Sequence, residues 1–138
     1  MPQESCLFCR IANKTIPADI VYEDETVMAI LDIHPRAPGH VFIIPKSHYA
    51  TFLNLDASLI GPVFTAVQKV GLKLKEALNN PGLSVGINQG RVSGQEIDHL
   101  HIHLIPRFEG DKGGSVQSIV NNPPSLEEQE RIKKLLLA

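Results

Sequence analysis

The stretch DHLHIHLIP, residues 98–106, sets His99, His101 and His103 at alternate positions, half of the chain's 6 histidines. On an extended strand, alternate side chains share a face. The three imidazoles then line one side, while Leu100, Ile102 and Leu104 point into a core on the other. β-Branched residues would fill a strand face more readily, and every imidazole brings a polar nitrogen that needs a partner. Two chemistries suit such a row. Imidazoles ligate first-row metals, or one ring attacks as a nucleophile while its neighbours orient it and hold an oxyanion. Glycine-containing turns at RVSG (91–94) and APG (37–39) can present backbone N–H groups to a phosphate. The chain has no Walker or dinucleotide-binding pattern.

Cys6 and Cys9 are the only cysteines. Their two-residue spacer occurs both in metal sites and in redox motifs. A redox pair normally lies between a strand and a helix, and no strand precedes this one. The spacing alone leaves zinc ligands and plain buried thiols both open.

The elements that must position these residues follow from periodicity. IVYEDET (20–26) reads as a strand entering an acidic turn, VMAILD (27–32) as its return, and HVFIIP (40–45) as a third strand after the turn HPRAPG. RIANKTIPA (10–18) is a short helical or turn segment stopped by Pro17. Leu55, Leu59, Val63, Ala66, Val67, Val70, Leu74 and Leu78 recur every three or four residues, which predicts a long amphipathic helix capped by Asp56. Pro62 marks its first turn or a kink, and Asn79, Asn80 and Gly82 end it. LSVGIN (83–88) is a further strand, and IDHLHIHLIP the last core strand. SLEEQERIKKLLL forms a terminal helix after Pro123 and Pro124, with Glu127 and Glu128 in its first turn.

The chain has 138 residues, 43% hydrophobic and 20% charged, with a formal charge of -2. That suits one globular α+β domain. The near-balanced charge argues against a nucleic-acid-binding face. No apolar run approaches the roughly 18 residues of a membrane span. MPQESC lacks the basic and apolar regions of a signal peptide, so a reducing cytoplasm is the expected location.

HLHIHLI matches the motif of the histidine triad family, three alternating histidines each followed by a hydrophobic residue. LDIHPRAPGHVFIIPKSH (31–48) resembles the family's first block, and SVGINQGRVSGQEIDHLHIHLIPR (84–107) its second. CLFCRIANKTIPADIVYEDE resembles members with an N-terminal zinc knuckle. The resemblance implies a single histidine-triad-like domain over 1–138: an antiparallel sheet, a long central helix and a C-terminal helix, with a core of about 6–110 and an extension of 111–138.

The resemblance also implies cleavage of a nucleotide at its α-phosphorus. His101 is then the nucleophile, and His103 holds a non-bridging oxygen. His99 supports the strand, and His40 belongs to the pocket network. A nucleophilic imidazole must be neutral, so its neighbours must fix its tautomer. Asp32 matches the position that contacts ribose, Ile33 and Phe8 bound the base, and Asn88 reaches the phosphate or ribose. Gln95 contacts phosphate or leaving group. Glu96 departs from the family pattern, standing where a hydroxyl residue is frequent, and this leaves the leaving group open. The implied structural zinc site is Cys6, Cys9, His48 and His99. His34 reads as a solvated turn residue, and Lys46 and Arg107 as surface charges.

By the same resemblance the partner is a second copy of the chain, paired through the central helix and a strand. Two substrate classes stay open: purine nucleoside phosphoramidates, which are favoured, and dinucleoside polyphosphates or related adenylylated compounds. A nucleotide-binding regulatory module without turnover is the non-enzymatic alternative, and a catalytic metal held by all three triad histidines is another.

Overall fold

The computed structural model describes residues 3–138. Helix α1 (Leu7–Ala12) leads into strands β1 (Ile20–Glu23), β2 (Val27–Leu31) and β3 (Val41–Pro45). Helix α2 (Ala57–Leu78), strands β4 (Gly82–Gly86) and β5 (Ile102–Arg107), and helix α3 (Leu126–Leu136) follow. All strand pairs are antiparallel, in the order β1-β2-β3-β5-β4. The first three strands form the expected meander. Strand β5 then inserts between β3 and β4, a pairing that local pattern does not specify.

Alternation divides the sheet into two working faces. On one, Val27, Ala29, Val41, Ile43, Ile102 and Leu104 pack against Val63, Ala66, Val70 and Leu74 of α2. These four helix residues fall on the stripe expected from the sequence. On the other, Met28, Ile30 and Ile44 pack with Phe42 against Cys6, Phe8, Cys9 and Ile11 of α1. His40, His99, His101 and His103 gather against Phe8 and Phe42 on this second face.

The helix ends obey local chemistry. Asp56 accepts the Ser58 N–H, and Asn79, whose N–H still donates to the Lys75 carbonyl, turns the chain out of the helix at φ 50°. Pro62 lies inside α2, past the first turn, and does not interrupt it. The first helix starts at Leu7, earlier than the expected 10–18 segment, because the Cys6 side chain caps it by accepting the Cys9 N–H. Ser125 caps α3 through the Glu128 N–H.

The strand expected over IDHLHIHLIP begins later than that stretch. The triad does not lie wholly on a strand: β5 begins at Ile102, leaving His99 and His101 in the segment before it. Leu100 N–H there donates to the Tyr49 carbonyl, at 2.6 Å. The three rings nevertheless remain together.

Among the described residues, no helix is long and apolar enough to cross a membrane. The C-terminal extension from Lys112 onward buries no residue.

Candidate active site and metal centre

The β3–β5 register sets Phe42 directly opposite His103. The two rings lie 4.9 Å apart, and His101 stands 5.3 Å from both Phe42 and His103. His40, one residue before β3, places Nε2 at 2.9 Å from His103 Nδ1.

Backbone partners determine which nitrogens carry protons. His101 Nδ1 lies 2.8 Å from the His99 carbonyl. A carbonyl only accepts, so Nδ1 carries the hydrogen and Nε2 keeps its lone pair. The Arg36 N–H donates to His40 Nδ1 at 3.1 Å. That backbone donor makes Nδ1 an acceptor, so the neutral ring carries its hydrogen on Nε2 and donates it to His103 Nδ1. His103 must then carry its own hydrogen on Nε2. Two fixed backbone groups therefore set up an unprotonated nitrogen on His101 and an N–H on His103.

Electrostatics supports the neutral rings. Burial pushes His103 down to about 4 and also lowers His101 and His40. Asp32 Oδ2 lies 3.5 Å from His40 Nδ1, but this is an ion pair only if His40 is protonated. Desolvation opposes that charge, since His40 is 2% exposed. The other Asp32 oxygen accepts the His34 N–H at 2.8 Å.

Cys6, Cys9, His48 and His99 bring one donor atom each to within 4.8 Å of one another. Cys6 Sγ to His99 Nδ1 is 3.4 Å, Cys9 Sγ to His48 Nδ1 is 3.3 Å, and Cys9 Sγ to His99 Nδ1 is 3.5 Å. Tetrahedral bonds of zinc-site length require sulfur–nitrogen edges of about 3.5 Å. The donor set therefore fits a tetrahedral metal ion. His99 Nε2 donates to the Pro45 carbonyl at 2.8 Å, which leaves Nδ1 free as a ligand. Burial lowers His99 to about 4 and raises the Cys9 thiol.

The remaining expected residues separate. Asp32 stands beside His40, and Ile33 is 83% exposed on the adjoining loop. Asn88 is half-buried, its Nδ2 beside Gly94. Phe8 is 2% exposed and packs its ring against His101 and His99. Gln95 is buried in the loop before the triad. Its Oε1 accepts the Gly90 N–H, its Nε2 donates to the Ala50 and Ile97 carbonyls, and its own N–H goes to the Gly90 carbonyl. Every polar group on that side chain is engaged in holding the loop. Glu96 and His34 are exposed. Lys46 pairs with Glu23, and Arg107 is held by Asp111.

Sequence reasoning missed the Arg36 N–H and the His99 and Pro45 carbonyls. These are main-chain groups, for which side-chain identity gives no signal.

A five-stranded antiparallel sheet carrying buried, tautomer-fixed histidines beside a Cys/His cluster defines a histidine triad architecture. The HIT domain model matches residues 13–110, and the chain belongs to that family. It is 44% identical over 118 residues to an uncharacterized HIT-like protein of Methanocaldococcus jannaschii, covering 83% of this chain and 91% of that protein. Against the adenylylsulfatase HINT3 of Arabidopsis thaliana, identity is 36% over 109 residues, covering 79% of this chain and 55% of that protein. The fold is similar to a crystal structure of a zinc-bound histidine triad family protein from Mycobacterium smegmatis. There the TM-score is 0.75 at 33% identity, covering 92% of this chain and 88% of that one.

Proposed function

We propose that this protein cleaves a nucleotide conjugate at its α-phosphorus through a nucleotidyl intermediate on His101, with purine nucleoside phosphoramidates as the preferred substrates. The observation that carries this reading is the 2.8 Å contact of His101 Nδ1 with the His99 carbonyl, which leaves the opposite nitrogen as a lone-pair donor.

In the first step the His101 Nε2–phosphorus bond forms as the phosphorus–nitrogen bond to the leaving group breaks, and the amine departs with a proton taken from solvent. Water then attacks phosphorus and gives up a proton to solvent, the Nε2–phosphorus bond breaks with its electron pair returning to Nε2, and nucleoside monophosphate leaves. The His103 Nε2–H faces the charge that builds on a non-bridging oxygen, a contact that strengthens in the transition state. Asp32 is the candidate partner of the ribose hydroxyls, and exposed Ile33 that of the base.

Zinc is the metal this reading places on Cys6, Cys9, His48 and His99, where a closed four-ligand shell makes it structural. A second copy of the chain is the proposed partner. Strand β4 is a sheet edge, and its Leu83 and Val85 are 37% and 38% exposed. An uncovered apolar edge of this kind favours strand pairing.

The test is turnover of adenosine phosphoramidate, diadenosine tetraphosphate and adenylyl sulfate, side by side, by wild type and His101→Gln. Wild type should cleave the phosphoramidate fastest, and the variant should lose at least about 10⁴-fold in kcat while keeping its fold. Faster cleavage of either other substrate moves the substrate class. Equal turnover by wild type and variant removes His101 as the nucleophile. Binding without turnover of any of the three favours the regulatory module.

A further inference from the structure

Phe8 occupies an unusual place, between the two sulfur donors of the metal centre and against the rings of the triad. Its ring centroid lies 5.1 Å from His101, 5.8 Å from His99 and 5.7 Å from Phe42. Phe42 also meets the His101 ring edge-on, at 5.3 Å and 88°. The two phenyl rings in contact with His101 differ in what secures them. Phe42 is paired into the centre of the sheet through the β3–β5 register. Phe8 lies on a helix of 6 residues, too short to hold itself together in water. That helix carries Cys6 and Cys9, so ligation there pins Phe8 on both sides along the chain.

The same cluster reaches His101 by a second path. The His99 ring is committed to the cluster and to the Pro45 carbonyl, while its own backbone carbonyl takes the His101 Nδ1–H. A shift of the His99 ring therefore moves the group that selects the His101 tautomer.

We infer that Phe8 is a positioning residue for His101, and that the Cys6–Cys9–His48–His99 centre acts on the nucleophile through the Phe8 ring and the His99 carbonyl. This rests on the assignment of His101 as nucleophile made above. The metal takes no part in bond making. It holds α1 so that the imidazole stays in one tautomer and one orientation, and small misplacements of a reacting group cost up to about 10²-fold in rate.

The experiment combines nitrogen-15 histidine spectroscopy, which reads ring tautomers without substrate, with steady-state kinetics. The chains compared are zinc-loaded wild type, Phe8→Ala and Phe8→Leu, and wild type stripped of metal. His101→Gln assigns the resonances. Loaded wild type should show one Nδ1–H tautomer for His101. Phe8→Ala with its metal still bound should show mixed or exchange-broadened tautomers, with kcat lower by about 10- to 100-fold and KM within about threefold. Phe8→Leu should restore part of both. Stripped wild type should reproduce the mixed tautomers.

Unchanged His101 resonances and kcat in loaded Phe8→Ala would overturn the inference. So would the same tautomer change in Val70→Ala, a substitution in the other core cluster, because general loosening would then explain it. If Phe8→Ala does not fold, Phe8→Leu and the stripped wild type decide the question. If wild type cleaves none of the nucleotides, the proposed activity falls, while the tautomer measurements still decide whether Phe8 and the metal position the His101 ring.

Discussion

Gln95→Ala separates two roles that one residue type can play in such a site. As a phosphate ligand, Gln95 would contribute to turnover and little to stability. Its hydrogen bonds lead to the opposite expectation. Its side chain is 4% exposed and makes bonds of 3.0 Å with the Gly90 N–H, 2.8 Å with the Ala50 carbonyl and 3.0 Å with the Ile97 carbonyl. At about 1 kcal/mol net for each bond, truncation costs about 3 kcal/mol. For a domain of 138 residues, each kcal/mol moves Tm by about 3 °C, so the loss is about 10 °C. Differential scanning fluorimetry at pH 7 measures it, alongside turnover at 25 °C, where the variant is still folded. Turnover should stay within about threefold of wild type, because the side chain has no free polar atom to offer a substrate. A Tm within 2 °C of wild type (roughly half a kcal/mol) together with a large fall in turnover would refute the reasoning and return Gln95 to the phosphate.

Three further outcomes follow from the same geometry. His40→Leu removes the donor to His103 and should lower kcat by about 100-fold with little change in KM, since the lost group acts through a transition-state contact; equal loss in kcat/KM through KM alone would contradict it. Chelation should remove one metal ion per chain and lower Tm by about 12 °C, from about 4 kcal/mol of linkage at a thousandfold excess over Kd, and Cys9→Ala should abolish the metal content. His103 is held near 4 in the fold, against 6.5 for the free side chain, so between those values the unfolded chain binds the extra proton. Stability should therefore be fully present above about pH 6.5 and fall as pH drops toward 4. Thermal melts of wild type and His103→Asn across that window check the sign, and the variant should show the shallower loss.

Strand and helix positions were legible because their periods differ. The short, β-branched apolar runs of 27–32 and 40–45, bounded by turn residues, and the three-to-four spacing of 55–78 have few other ways to bury their faces. The terminal caps were equally readable, since Asp56 and Ser125 satisfy N–H groups within three residues. The start of β5 was less legible. An alternating pattern extends back to His99, but the Tyr49 and Pro45 carbonyls, distant in sequence, capture the Leu100 N–H and the His99 ring before strand pairing begins. Phe8 and Gln95 illustrate the same limit at the site. Their chemical types permit ligand contact, and only the fold shows that Phe8 is buried and that the Gln95 side chain is hydrogen-bonded to its loop.

By itself, the sequence determined which groups are available for chemistry: three alternating imidazoles, a fourth at His40, and two thiols with a histidine at 48. It also determined the amphipathic faces that must close around them. Tertiary structure decided which nitrogen of each ring is free, because that depends on main-chain partners that no side-chain pattern encodes. It likewise decided that the His99 ring joins the Cys/His cluster while its carbonyl meets the His101 ring. Those two arrangements arise where β3, α1 and the segment before β5 converge, and contacts between residues 39 to 93 positions apart exist only once the chain has folded.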